Sequence, residues 1–84
     1  MRATWRPLGT ERHGHLDSAT LKALPDSAFA FPYSRKEPMT DAAHVRSAIA
    51  RFEQVKGVSA DERALALENL RAAAHFYDII MPRK

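Results

Sequence analysis

The sequence predicts an all-α fold: a small three-helix domain in which an antiparallel helical hairpin, about residues 41–56 and 60–79, packs against a short N-terminal helix and an extended aromatic segment. Apolar residues recur at spacings of three and four along both hairpin segments, and a short connection joins them. A chain of 84 residues that is 45% hydrophobic and 27% charged has the composition of one folded domain.

The chain divides into an irregular basic arm, a single helical domain and a basic tail, over residues 1–16, 17–81 and 82–84. Pro7, Gly9 and Gly14 interrupt any helical or strand period in the arm. Trp5, with Leu8 nearby, offers at most one apolar anchor. We therefore expect the arm to dock weakly on the domain or to stay mobile.

The first helix and the aromatic segment follow the arm. Asp17 is a helix-capping residue, and the helix that it begins ends before Pro25. Phe29 and Phe31 lie two residues apart, which is the spacing of side chains on one face of an extended segment. Both rings should face the core.

The second helix of the prediction comes after a loop. Pro32 and Pro38 bracket five residues and hold them extended or turned. Thr40 can cap the helix that follows. Gly57 suits the left-handed position beyond a helix end, so we expect this helix to stop at Lys56.

The third helix begins at a capping box, in which Ser59 and Glu62 can each satisfy a free amide of the other. Its hairpin-facing side is predicted to consist of Ala66, Leu67, Leu70, Ala73, Ala74 and Tyr77. Leu65 and Phe76 lie on nearly the opposite side and also need cover. The aromatic segment of the same chain is the favoured cover, and so a monomer is favoured, but a homodimer stays open. Either cover makes Phe76→Ala severely destabilising.

Several classes of function find no support in the residues. The chain has no cysteine, no Gly-x-Ser-x-Gly and no Gly-rich phosphate loop, so we expect no enzyme, no catalytic residue and no cofactor. His13 and His15 have no third ligand at a conventional spacing, so no metal site is expected. No signal peptide or stretch of roughly 20 apolar residues is present, which predicts a cytoplasmic protein without a membrane segment.

Two groups of residues are candidate sites. The candidates for anion binding gather at the start of the second helix: Arg35, Lys36, Thr40 and His44. Asp41 already supplies a negative charge there, and solvated loop charges explain the same residues. The candidates for partner contact are Arg46, Ala50, Arg51, Leu65 and Phe76.

These sites lead to two functional hypotheses. The first is a non-enzymatic protein-interaction or accessory module with an unidentified protein partner. The alternative is a weak nucleic-acid or phosphate-binding protein that uses Arg46 and the Arg83–Lys84 tail together with the basic anion candidates.

A series of short motifs resembles an uncharacterised family of short bacterial proteins and phage-encoded domains. The motifs are LPDSAFAFP, RKEP, TDA, HVR and AIARF, beginning at residues 24, 35, 40, 44 and 48. The similarity covers about residues 24–79. The resemblance implies a family without an assigned activity, in which some members look like appendages of phage structural or head-maturation proteins. It therefore favours a phage-related binding or scaffolding role.

Overall fold

The computed structural model describes residues 2–9 and 16–81, and over these ranges the fold is mixed α/β. Its elements are α1 (Ser18–Ala23), β1 (Phe29–Phe31), β2 (Lys36–Pro38), α2 (Ala42–Arg51) and α3 (Ala60–Phe76), with single 3₁₀ turns at Asp26–Ala28 and Phe52–Gln54. Strands β1 and β2 form a two-stranded antiparallel sheet. The predicted all-α class is therefore wrong, although the three predicted helices are present.

The predicted loop between two prolines is a β-hairpin. Phe29 lies opposite Pro38, and Phe31 lies opposite Lys36. The turn closes because Arg35 adopts a left-handed backbone conformation with φ of 54°. Sequence patterns did not reveal this hairpin, because it lacks an Asn-Gly or Asp-Gly turn, it contains a proline within a strand, and three residues are too few to show alternation.

The N-terminal caps of α1 and α3 are those that the sequence predicts. The Asp17 carboxylate accepts a hydrogen bond from the backbone N–H of Thr20 at 2.8 Å. The Ser59 hydroxyl accepts from the backbone N–H of Glu62 at 3.0 Å. Each cap satisfies an amide that the first helical turn leaves without an intrahelical partner.

Helix α2 differs from its prediction at both ends. Asp41, rather than Thr40, is its cap, and the Asp41 carboxylate accepts from the backbone N–H of His44 at 2.8 Å. The α-helix ends at Arg51 and tightens into a 3₁₀ turn before the chain reaches Gly57. Gly57 has the predicted left-handed conformation, with φ of 78°.

The core lies where α3 crosses β1 and α2. Its largest cluster of buried residues comprises Trp5, Ala30, Phe31, Met39, Val45, Ala48, Val55, Ala66, Leu70 and Ala73. A smaller cluster of Leu24, Ala28 and Phe29 lies under α1. The predicted packing of the third helix on the second is confirmed, and both phenylalanines of the aromatic segment are buried as predicted.

The N-terminal arm contributes to the core through Trp5, which is only 3% exposed. Its indole N–H donates to the carbonyl of Met39 at 3.1 Å. The backbone N–H groups of Thr4 and Trp5 donate to the side-chain oxygen of Asn69 at 2.7 and 2.9 Å. The Asn69 amide donates in turn to the carbonyl of Ala30, at 2.8 Å. Thr4 and Trp5 therefore dock on the core through more contacts than the single apolar anchor that the sequence pattern predicts for the arm.

The second apolar side of α3 is only partly covered. Leu65 is 4% exposed within the single chain, as cover by the same chain predicts. Phe76 is 56% exposed, so the expectation that it is buried is wrong. Its ring contacts the edge of Trp5, with 5.8 Å between ring centroids, and packs perpendicular to Tyr77 at 4.9 Å. The helix ends at Phe76, before it can carry this ring beneath another element.

Glu62 connects α3 to the β-hairpin. Its two carboxylate oxygens accept from the backbone N–H and the hydroxyl of Ser34, both at 2.7 Å. Because Glu62 is buried and Ser34 lies in the hairpin turn, this pair of charge-assisted hydrogen bonds fixes the turn against α3. The N-cap half of the predicted capping box is present, and the Glu62 side chain serves the hairpin.

Candidate functional site

A surface groove of about 370 Å³ runs between α1, the β-hairpin and one side of α2, and we call it the basic groove. Its lining residues combine cations with apolar side chains: Leu16, Leu21, Lys22, Phe29, Arg35, Glu37, Pro38, His44, Ser47 and Arg51. A shallower depression continues from it past Lys36, Gln54, Val55 and Lys56, and the two share Glu37 and Arg51.

Arg35 forms one wall of the basic groove and also closes the end of α1. Its guanidinium donates to the carbonyls of Leu21 and Leu24 at 2.8 and 2.9 Å and to the Asp26 carboxylate at 2.6 Å. The same group lies over the Phe29 ring, 4.6 Å from its centroid. Most of the hydrogen-bonding capacity of Arg35 is therefore used to hold α1 against the hairpin.

Lys36 also contacts the backbone of its own chain. Its ammonium group donates to the carbonyl of Lys56, in the connection between α2 and α3. The lysine thereby ties strand β2 to the residues just before Gly57. Lys36 lies in the shallower depression and does not line the basic groove.

His44 and Asp41 form a hydrogen-bonded pair at the start of α2. The imidazole Nδ1 lies 2.7 Å from the Asp41 carboxylate, and the Thr40 hydroxyl lies 3.4 Å from the same nitrogen. Asp41 and Thr40 are buried, while His44 lines the basic groove. The buried carboxylate therefore orients the imidazole, and Nε2 is the ring nitrogen that Asp41 does not engage.

Arg51 and Glu37 face each other where the two depressions meet. The Arg51 guanidinium lies 4.0 Å from the Glu37 carboxylate, which is the outer limit of an ion pair. The Arg51 side chain is 64% exposed, whereas that of Glu37 is largely covered. Glu37 also has a left-handed backbone, with φ of 57°, a conformation that costs a non-glycine residue free energy.

The structure brings the four anion candidates near one another and gives each a contact within the chain. Arg35 and His44 line the basic groove, Lys36 lies beside it, and Thr40 is buried with its hydroxyl near the His44 ring. Arg35 and Lys36 donate to carbonyl groups and His44 contacts a carboxylate, so much of their capacity to bind an anion is already used.

The five partner-contact candidates do not share one surface. Arg46, Ala50 and Arg51 are exposed on α2, and of these Arg51 lines the basic groove. Phe76 is exposed at the end of α3, beside Trp5. Leu65 is buried in the single chain and contributes nothing to its surface.

Sequence reasoning did not identify Asn69 or Glu37 as important. An asparagine between Glu68 and Leu70 in a helix interior has low helix propensity, and this mismatch was a signal of a specific buried role. Glu37 gave no such signal, because its position depends on a hairpin that the sequence pattern does not reveal.

The sequence predicts neither a metal site nor a membrane segment, and the structure bears on these two predictions only over the residues that it describes. Across residues 2–9 and 16–81, no group of three or more histidine, cysteine, aspartate or glutamate side chains could hold a metal ion. His13, His15, Arg83 and Lys84 lie outside the described residues. No helix in the described part of the chain has the length and apolar character needed to cross a membrane.

Comparison with known protein families identifies a family for this chain. A family model described as a family of unknown function (DUF6582) matches residues 8–83, which is most of the chain. The match begins within the N-terminal arm, so it extends beyond the stretch of about residues 24–79 over which the motifs resemble an uncharacterised family. No curated protein and no solved structure matches the chain.

Proposed function

The chain belongs to DUF6582, a family of unknown function, and we propose that it is a non-enzymatic protein-interaction or accessory module that binds a segment of a partner protein in the basic groove. The encounter takes place in the cytoplasm, and the partner belongs to the phage-related assemblies that the motif resemblance implies. The chain acts as a monomer.

The basic groove is the observation on which this proposal rests. It is concave, it is bounded by three separate elements, and it combines apolar side chains with cations. Binding sites for peptides and small molecules have this mixture of an apolar surface and a few directed polar groups. Its volume of about 370 Å³ is sufficient for one or two side chains of a bound segment.

The rigidity of the groove walls further supports a binding role. Arg35 ties α1 to the hairpin, and Glu62 ties the hairpin turn to α3. Walls that are fixed before binding lower the entropy lost when a partner is ordered on them. A partner segment would therefore meet a surface that is already formed.

The proposal can be tested by selecting peptides from a displayed random library against the full chain. The key variant is Ser47→Tyr, because Ser47 is exposed, lines the groove and would carry a ring into it. The matched control is Ala43→Tyr, which places the same ring on an exposed position of α2 that does not line the groove. We expect enriched peptides to bind the wild type and Ala43→Tyr equally and not to bind Ser47→Tyr.

Two outcomes would contradict the proposal. The selection could enrich no peptide, or the enriched peptides could bind Ser47→Tyr as well as the wild type. Light scattering with and without duplex DNA completes the experiment. A chain that binds duplex DNA in a strongly salt-dependent way and enriches no peptide is a nucleic-acid binder instead.

A further inference from the structure

We infer that the basic groove selects an acidic peptide segment that carries one bulky apolar side chain beside its carboxylates. This inference rests on the proposed function and specifies the chemistry of the partner segment. It follows from the distribution of charge along the groove, from the contacts that Arg35 and Arg51 already make, and from the lack of an accessible phenylalanine, tyrosine or tryptophan ring among the groove's described lining residues.

Positive charge dominates the groove walls. Three lining residues, Lys22, Arg35 and Arg51, carry a positive charge, and one, Glu37, carries a negative charge. The neighbouring depression adds Lys36 and Lys56 as further cations. Such a field attracts carboxylates and repels basic segments, because charge complementarity governs both encounter and register at an interface.

Arg51 is the cation best placed to bind a carboxylate. Arg35 donates to two carbonyls and to Asp26, whereas Arg51 has its contact with Glu37 at the 4.0 Å limit. A guanidinium can bind a carboxylate with two parallel hydrogen bonds at much shorter distances. A ligand carboxylate would therefore improve on the present geometry of Arg51 at little cost to the fold.

The apolar part of the groove is adjacent to these cations. Leu16 and Leu21 are half-buried and contact the cluster beneath α1, and Pro38 is half-buried on the hairpin side. The part of these side chains that is still exposed is apolar surface, and an apolar ligand group that covers it removes that surface from water, which favours binding. The position next to Lys22 and Arg51 thus fits a leucine-sized side chain flanked by acidic residues.

The same features disfavour a nucleic acid as the occupant. Single strands are held largely by stacking of bases on exposed aromatic rings. Phe29 is buried, and the Arg35 guanidinium covers its face, so this ring cannot serve as a stacking platform. Glu37 lies between the two depressions, where it would repel a continuous phosphate backbone.

The test is a fluorescence-anisotropy titration of the full chain with three labelled peptides of equal length. The first is rich in aspartate and glutamate with a central leucine, the second replaces that leucine by serine, and the third replaces each acidic residue by lysine. A single-stranded DNA oligonucleotide is a fourth probe. We expect the first peptide to bind most tightly, with about tenfold weaker binding when the leucine is lost.

Two substitutions with opposite expected effects on affinity test the inference further. Arg51→Glu should weaken binding of the first peptide by about tenfold, because it replaces an attractive charge by a repulsive one. Glu37→Gln should strengthen binding about threefold, since it removes the carboxylate that faces the ligand. Arg71→Glu is the matched control: its side chain is 61% exposed, it pairs with Glu68 on α3, and it does not line the groove. Its affinity should equal that of the wild type.

Each outcome supports or overturns the inference. Equal binding of the acidic and basic peptides, preference for the oligonucleotide, or equal effects of Arg51→Glu and Arg71→Glu would overturn it. Circular dichroism of each variant distinguishes a loss of affinity from a loss of the folded structure. If the displayed peptides do not bind Ser47→Tyr but are not acidic, the inference fails and the proposed function stands. If no displayed peptide binds, the proposed function itself fails.

Discussion

Asn69 is buried with Trp5 and Ala30 and is bonded to both, whereas Arg51 extends over a groove that opens to solvent. The hydrogen bonds of the Asn69 side chain all join distant parts of the chain. In the part of the chain that the structure describes, no buried side-chain nitrogen or oxygen lacks a partner. The contrast separates polar residues that hold the fold from a cation that is mainly exposed and thus suited to binding.

Trp5→Ala should have the largest effect on stability. The substitution removes a buried indole and its hydrogen bond to Met39, and it leaves a cavity in the main core. We expect the free energy of unfolding to fall by about 3–5 kcal/mol. Denaturant unfolding followed by circular dichroism measures it. Trp5→Phe keeps a ring and loses the N–H donor, so its loss should be smaller. A loss below about 1 kcal/mol for Trp5→Ala would show that the arm does not belong to the core.

Asn69→Ala should follow, with a loss of about 3 kcal/mol. The truncation leaves the backbone N–H groups of Thr4 and Trp5 and the carbonyl of Ala30 without their side-chain partner. Glu68→Ala is the control, because Glu68 is the preceding residue on α3, is only partly buried and contacts Arg71 at the surface. It should change stability by less than about 0.5 kcal/mol. Equal losses for the two variants would contradict the special role given to Asn69. Chemical unfolding of both proteins in parallel gives the comparison.

Glu62→Ala tests the link between α3 and the hairpin. It removes both hydrogen bonds to Ser34, and we expect a loss of about 2 kcal/mol because bonds to a buried carboxylate are stronger than neutral ones. Ser34→Ala removes the hydroxyl bond alone and should cost less. A double variant whose loss is smaller than the sum of the two single losses would show that the residues act as one unit.

The helices could be predicted from the sequence because their determinants are local. Asp17 and Ser59 cap α1 and α3 as their positions suggest, and Gly57 has the left-handed backbone that its position after α2 predicts. The β-hairpin could not be predicted in this way, since it depends on Arg35 adopting a positive φ and on hydrogen bonds from Ser34 to Glu62 in a distant helix. Tertiary contacts determine that local conformation.

The candidate site was only partly predictable for the same reason. Arg35, His44 and Arg51 were identified as basic residues of interest, and the structure places all three on the groove. Their different roles depend on contacts that no local pattern encodes, such as the bond from Arg35 to the carbonyl of Leu24. The position of Glu37 in the groove depends on the β-hairpin, so the sequence pattern did not predict it either.

Phe76→Ala should cost about 1 kcal/mol, far less than the severe loss that burial of this ring would predict. More than half of the Phe76 side chain is exposed, and its remaining contacts are edge contacts with Trp5 and Tyr77. The thermal midpoint at several protein concentrations is the measurement. A loss above about 3 kcal/mol, or a midpoint that rises with concentration in the wild type alone, would indicate that a second chain covers the ring.

The smallest effects come from one substitution made at two arginines of the same groove. Arg51→Gln should change the free energy of unfolding by less than about 0.5 kcal/mol, because the side chain is mostly exposed and its contact with Glu37 is long. Arg35→Gln should cost about 1 kcal/mol, since it removes hydrogen bonds to Leu21 and Leu24, discounted for solvent exposure. Thermal unfolding of both variants measures the difference. If Arg51→Gln is the more destabilising, Arg51 belongs with Asn69 as a residue that maintains the fold, and the groove loses the cation assigned to its ligand.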